Sequence, residues 1–221
     1  MRAGLFGGTF NPIHNGHLMV AREALQRFTL DRLYVIPCWT PPHKQPVYLA
    51  PAADRLRMIQ LALPGDARLR LSDIEIQRKG PSYTIDTVTA FNTRITPGAA
   101  LFLIMGMDAF LDIHNWKAHR QLLEAVQPVV VTRRLAADDK SADEMQRMDR
   151  FIRSRLSDDY LLSEHDHCWQ TPAGHAIHLL ATPPVTVSST MVRRRIQDGK
   201  TIAGLVPPAV GVYIDQKDLY R

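Results

Sequence analysis

An apolar run, Ala3-Gly4-Leu5-Phe6, stops at Gly7-Gly8-Thr9, and Leu18, Ala21, Leu25 and Phe28 then recur at helical spacing. A short buried strand that turns at once into an amphipathic helix is the opening unit of an open α/β sheet. It constrains everything downstream, because a parallel strand needs crossover helices and further strands to cover it. The connecting stretch, GGTFNPIHNGH at 7–17, lies at the carboxyl end of that strand. Such sheets hold nucleotides there, since bare glycine backbone and a helix N-terminus approach phosphate closely. His14 and His17, three apart at the helix start, can both point at one anion and donate hydrogen bonds to charge developing on it. The spacing fits neither the GxxxxGK[ST] phosphate loop nor the GxGxxG dinucleotide turn.

The rest of the chain alternates in the same way. Arg32 to Pro37 (RLYVIP) predicts a second strand, followed by a proline-broken loop through Pro51 and a helix with Leu56, Ile59 and Leu63 on one face. A strand is expected near Leu69 to Ile76 and a helix over Thr84 to Arg94. Leu101 to Met105 and Pro128 to Val131 are continuous apolar runs of the kind buried on both faces. Ile177 to Leu180 predicts a last strand, with helices after Ser188 and from Pro207-Pro208, where proline suits a helix start. Over 138–160, twelve residues are charged, yet Met145, Met148, Ile152 and Leu156 keep helical spacing. That predicts a solvated amphipathic helix whose apolar stripe packs against its own chain. The expectation is an α/β fold, a three-layer Rossmann-like parallel sheet in one domain over 1–221. It carries a helical elaboration at 138–160 and a C-terminal helical segment at 186–221.

Composition narrows the function classes. At 45% apolar and 22% charged the chain is of ordinary globular make-up. No run approaches the ~18 apolar residues of a membrane span, and no basic segment with a long apolar stretch opens the chain, so a cytoplasmic protein with no membrane partner is expected. Cys38 and Cys168 stand in unlike contexts, which excludes a disulfide framework or a zinc site built from cysteine. His165-Asp166-His167-Cys168 contains side chains that zinc accepts, but adjacent ligands seldom converge on one ion, and the stretch reads as a surface loop. A net charge of +5 admits either nucleic acid or small phosphorylated substrates. The basic residues are dispersed, Arg193-Arg194-Arg195 being the densest run, without any RNA-recognition or zinc-finger spacing. No nucleic-acid partner is therefore expected.

A second constellation lies at 186–196, TVSSTMVRRRI. Hydroxyls and amides at a helix N-terminus bind phosphate, and Arg193 one turn later supplies a planar fork for its oxygens; the alternative is an ordinary N-cap. His14-Asn15-Gly16-His17 resembles the HxGH signature of the nucleotidyltransferase superfamily, and Ser188, Thr190 and Arg193 resemble its S-x-T-x-x-R signature. Pro41-Pro42-His43-Lys44, Pro81-Ser82-Tyr83-Thr84, and Gly106-Met107-Asp108 with Trp116 resemble the PPHK, PSYT and G-x-D...W segments of the bacterial nicotinate-nucleotide adenylyltransferases. These fall in the family's order along nearly the whole chain.

The resemblance implies adenylyl transfer from ATP to nicotinate mononucleotide, with magnesium held mainly by the triphosphate and water. It implies that His14 and His17 hold phosphate oxygens at the reacting centre and that Lys44 and Arg193 neutralise the triphosphate. Gly7, Gly8, Thr9 and Phe10, with Ser188, Ser189 and Thr190, would line its cradle. Gly106 and Asp108 would lie at the adenosine, although Asp108 also suits a plain helix N-cap. Ser82, Tyr83 and Thr84, with Trp116, Arg133 and Arg134, would hold nicotinate mononucleotide. Trp116 offers a flat face to the pyridine ring or, alternatively, packs in the core. Arg133-Arg134-Leu135-Ala136 stands where the family usually has an Arg-Pro-Gly turn, and Asn11 where some relatives have Asp. Trp39, before the PPHK loop, either closes over the nucleotide or shields the core. The rival readings are a sister enzyme acting on nicotinamide mononucleotide or phosphopantetheine, and a catalytically silent nucleotide sensor.

Overall fold

The structure, a computed structural model, describes residues 1–40, 48–133, 140–163, 165–183 and 186–221. In chain order the elements are β1 (Arg2–Gly8), α1 (Asn15–Arg27), β2 (Arg32–Pro37), α2 (Ala52–Ala62), β3 (Leu69–Leu71), α3 (Ile74–Arg78) and α4 (Thr84–Ala90). There follow β4 (Ala100–Gly106), α5 (Met107–Leu111), α6 (His119–Ala125), β5 (Gln127–Arg133), α7 (Lys140–Phe151), β6 (Leu161–Ser163), β7 (Cys168–Gln170), β8 (Ala176–Thr182), α8 (Ser189–Gln197) and α9 (Pro208–Gln216). Both α4 and α7 run on into a π-helical turn, Phe91–Ile95 and Ile152–Leu156.

Eight strands hydrogen-bond in the order β3-β2-β1-β4-β5-β8-β7-β6. The apolar runs at 32–37, 101–105 and 128–131 became strands buried along nearly their whole length, as expected of strands covered on both faces. The order runs outward from β1 to β3 before β4 begins on its other side. The carboxyl end of β1 is thus at the position where strand order reverses, the usual ligand position of open α/β sheets. Pairings β2–β3, β4–β5 and β5–β8 are parallel.

Three expectations are corrected. The sheet is not parallel throughout: β6 and β7 form an antiparallel hairpin that pairs antiparallel with β8. The strand expected at 69–76 ends at Leu71, and Ile74–Arg78 is a short helix that buries Glu75. On α2 the buried face is Arg55, Met58, Ile59 and Ala62, while Leu56 and Leu63 are only half-buried.

The chain forms two compact units. One comprises Phe6–Ser82 and Val185–Arg221, with a core that includes Ile13, Leu25, Leu33, Ile36, Met58, Ile59, Val192 and Val210. Here the Tyr213 hydroxyl donates to the Asp54 carboxylate at 2.8 Å, tying α9 to α2. The other comprises Met1–Leu5 and Tyr83–Pro184, with Phe91, Phe102, Phe110, Val129 and Trp169 at its centre. In it α7 turns Met148 and Ile152 inward, Phe151 packs edge-on to Phe110 at 5.4 Å, and the Trp169 indole donates to Asp149 at 3.0 Å. Of the apolar stripe at 145–156, Met148 and Ile152 are thus buried, while Met145 and Leu156 are half-buried. No helix among the described residues is long and apolar enough to cross a membrane.

Candidate active site

The turn after β1 is shaped by one aromatic ring. Phe10 has φ 47° and is 2% exposed, its ring edge-on to Phe6 at 5.5 Å and to His17 at 5.0 Å. A left-handed non-glycine residue costs about 1–3 kcal/mol and persists only where its surroundings over-determine it. A Cβ at residue 8 would come within 3.1 Å of that ring, which explains Gly8, whereas one at Gly7 would meet nothing within 4 Å. Among the described residues, nothing packs on the open side of Gly7. The ring of Phe10, a residue expected in the cradle, is buried.

His14 and His17 are built into the start of α1. His14 is the N-cap, in extended backbone, and its Nδ1 accepts from the His17 amide at 3.3 Å. The Nδ1 of His17 accepts from the His14 amide at 3.2 Å, completing a reciprocal capping box. The rings stack with centroids 3.6 Å apart and planes 20° from parallel. An imidazole nitrogen that accepts carries no hydrogen, so in each neutral ring the hydrogen is on Nε2. The box thus sets both tautomers: each ring is an N–H donor, and its basic nitrogen is committed to the backbone. No acidic residue stands in the first turn of α1 to compete for an incoming anion.

The start of α8 docks on the same turn. Ser188 is its N-cap, accepting from the Met191 amide at 3.2 Å, so the ordinary capping role holds for this residue. The Ser189 hydroxyl donates to the Pro12 carbonyl at 2.9 Å. Arg193 donates from one terminal nitrogen to the Asn11 carbonyl at 2.8 Å and from the other to the Thr190 hydroxyl at 3.4 Å. Asn11, 3% exposed, binds in turn through its side chain: Nδ2 donates to the Tyr48 carbonyl at 3.0 Å, and Oδ1 accepts from the Ala50 amide at 3.0 Å and the Tyr220 hydroxyl at 2.8 Å. Burial raises the Tyr220 phenol above its ordinary value, favouring the protonated donor that this bond needs. The amide at residue 11 is thus a structural junction that a carboxylate could not copy, because Tyr48 requires a donor.

Sequence reasoning missed Arg55. It is 0% exposed on α2, and its guanidinium donates to the carbonyls of Thr9, Cys38, Trp39 and Ala50 at 2.7–3.1 Å. A charged residue on an amphipathic helix is ordinarily solvated, so no local signal separated Arg55 from Arg57. Desolvation lowers its proton affinity, from a starting value high enough to leave it charged. Trp39 is half-buried and its amide donates to the Ser82 hydroxyl at 3.2 Å, which gives Ser82 a structural partner.

The remaining candidates belong to the other unit. Tyr83 is 40% exposed and is the N-cap of α4, in extended backbone; among the described residues its side chain caps no amide of that helix. The Lys117 ammonium lies 4.7 Å above the Tyr83 ring and 3.2 Å from the Asp86 carboxylate, clipping the segment after Trp116 to α4. Trp116 is half-buried at the end of a short 3₁₀ turn. Gly106 is the N-cap of α5, and a Cβ there would meet nothing within 4 Å. Asp108 lies inside the first turn, exposed, and is not the cap. Arg133 closes β5; Lys44 and Arg134 lie outside the described residues. Residues 165–167 lie in the turn between β6 and β7, and Cys168 is buried at the start of β7. Among the described residues no group of three or more His, Cys, Asp or Glu is placed to hold a metal ion.

The cytidylyltransferase-like family model matches residues 5–195. A probable nicotinate-nucleotide adenylyltransferase of Desulfatibacillum aliphaticivorans is 38% identical, over 100% of both chains. One of Pseudomonas fluorescens is 36% identical, over 100% of this chain and 97% of its own. Among solved structures, the Plasmodium falciparum nicotinic acid mononucleotide adenylyltransferase complexed with NaAD superposes with a TM-score of 0.70. It is 17% identical and covers 99% of this chain and 97% of that one, a likeness of fold. With the histidine capping box at the switch of the sheet and relatives matching from end to end, the chain belongs to the cytidylyltransferase-like family and, within it, to the nicotinate-nucleotide adenylyltransferases.

Proposed function

We propose that the chain transfers the adenylyl group of ATP to nicotinate mononucleotide, with His14 and His17 as the donors at the reacting phosphate. An oxygen of the acceptor's 5′-phosphate forms the new bond to the α-phosphorus, the bond from that phosphorus to the oxygen bridging to the β-phosphate breaks, and pyrophosphate leaves with the electron pair. The observation that carries the role of the histidines is the reciprocal bonding of their Nδ1 atoms to backbone amides. The attacking phosphate needs no base, because its second pKa of about 6 leaves it largely dianionic at neutral pH. What the reaction needs is donors for the charge on the reacting oxygens, and two stacked Nε2–H imidazoles supply them.

In this reading Gly7, Gly8, Thr9 and the Phe10 backbone line the triphosphate, with Ser188, Ser189, Thr190, Arg193 and Lys44 around it. Gly106 and Asp108 serve the adenosine. Ser82, Tyr83, Thr84, Trp116, Arg133 and Arg134 serve nicotinate mononucleotide. The open space at Gly7 and Gly106 supports the close approach of a ligand. Residues 9–17 contain no carboxylate, so a magnesium ion brought with ATP would be held mainly by phosphate oxygens and water, and would offset charge on the triphosphate. The whole chain, 1–221, acts as one nucleotidyltransferase domain in the cytoplasm. The test is pyrophosphate release from ATP with nicotinate mononucleotide, matched mole for mole by the dinucleotide. Release with phosphopantetheine instead would assign a sister activity, and no release with any acceptor would leave a nucleotide sensor.

A further inference from the structure

The guanidinium of Arg55 is fully buried and donates to four main-chain carbonyl oxygens among the described residues: Nε to Ala50 at 3.1 Å, one Nη to Thr9 at 2.9 Å and Cys38 at 2.7 Å, the other to Trp39 at 2.8 Å. A buried cation usually faces a carboxylate. Here carbonyl dipoles hold it, and none of these partners cancels its charge. An apolar side chain would fill the same helix face without desolvating a cation, so packing alone gives no reason for arginine.

The placement of those carbonyls supplies one. The Thr9 carbonyl belongs to the peptide linking Thr9 to Phe10, and in a planar trans peptide the N–H points opposite to the C=O. With the carbonyl drawn to Arg55, the Phe10 amide is directed away from the guanidinium. Phe10 is the left-handed residue of the turn, φ 47°, and a left-handed step in a run of main-chain amides makes an anion-binding concavity. Arg55 holds this peptide from one side, and the packing of Phe10 between Phe6 and His17 holds it from the other. Cys38 is held twice: its carbonyl accepts from Arg55, and its amide donates to the Gly8 carbonyl at 3.0 Å. The end of β2 is thereby locked against the turn.

We propose that Arg55 is the positioning residue of the phosphate turn: it fixes the Thr9–Phe10 peptide in the kink that aims the Phe10 amide at phosphate, and lends the turn a positive charge. The proposal rests on the reading of this turn as the triphosphate site. Two variants separate its parts. Arg55→Lys keeps the charge and loses the fork, and Arg55→Met loses both at similar volume. Folding is followed by circular dichroism and thermal melts, ATP affinity by calorimetry without acceptor, and kcat and KM for each substrate by pyrophosphate release. Both variants are expected to fold. Arg55→Lys should retain most of the ATP affinity while kcat falls about 100-fold, the effect of a small misplacement at the reacting centre. Arg55→Met should lose ATP affinity as well, and KM for nicotinate mononucleotide should stay as in the wild type in both. Wild-type kcat and ATP affinity in the two variants, or losses that only follow the melting temperature, would overturn the proposal. So would failure of either to fold, which would assign the residue to the core. If the wild type binds ATP yet transfers to no acceptor, the functional reading fails, while the order of ATP affinities still tests Arg55.

Discussion

At the scale of single residues, the two histidines combine jobs that mutation can separate. Each ring caps α1 through Nδ1 and donates through Nε2, so an alanine variant mixes helix loss with chemistry. His14→Asn keeps a strong N-cap acceptor, and His17→Gln keeps a side chain that can reach back to the cap amide. Both should melt close to the wild type while turnover falls about 100-fold or more, the cost of one lost transition-state donor. His14→Ala should in addition lose about 1 kcal/mol of stability. Turnover near wild type in the purified Asn and Gln variants would leave the rings with a capping role alone. The histidines were legible because HxGH sits at a strand-to-helix turn. Their tautomers were not, since these follow from main-chain geometry. Nor was Arg55, whose partners lie up to 46 residues away on carbonyls that carry no side-chain signature.

Among the elements, α8 is fastened to the turn after β1 by Ser189 on Pro12 and Arg193 on Asn11, so this helix holds the turn in place. Arg193→Lys keeps the charge but cannot bridge Asn11 and Thr190 as a planar fork. ATP affinity and turnover should both fall, and calorimetry showing unchanged ATP binding would remove Arg193 from the cradle. Elements were legible where one force dominated. Arg32–Pro37 is apolar after its first residue and became a strand with those bounds. Leu69 to Ile76 mixes both periods, and Ile74–Arg78 became a helix that turns Glu75 inward. The β6–β7 hairpin escaped because three-residue strands are too short to show alternation. Its one strong signal, Trp169, is fully buried and bonded to a carboxylate 20 residues earlier.

At the scale of the molecule, Tyr220 is part of the unit that holds the turn after β1. Tyr220 is 6% exposed and donates to Asn11, and neither fact shows in the local sequence of a polar C-terminus. Tyr220→Phe removes that one bond and should cost about 1 kcal/mol, lowering Tm by about 2–4 °C in a chain of this length. An unchanged melt would make the contact incidental. The two thiols report on the whole fold: burial pushes both Cys38 and Cys168 above the ordinary thiol range. Neither should react with a chromogenic disulfide at neutral pH until the protein unfolds, and rapid labelling of the native chain would contradict their burial. The central claim concerns the acceptor. Thr84 opens α4 behind Tyr83, whose side chain caps none of its amides among the described residues; main-chain donors at such a helix start favour a carboxylate over a carboxamide, whose NH2 would confront a donor. Charge-assisted bonds and the helix-end charge together predict a preference of about 10- to 1,000-fold. The deciding measurement is kcat/KM for nicotinate and nicotinamide mononucleotide at equal ATP: a preference for the acid of that size is the predicted result, and equal values or a preference for the amide would contradict it.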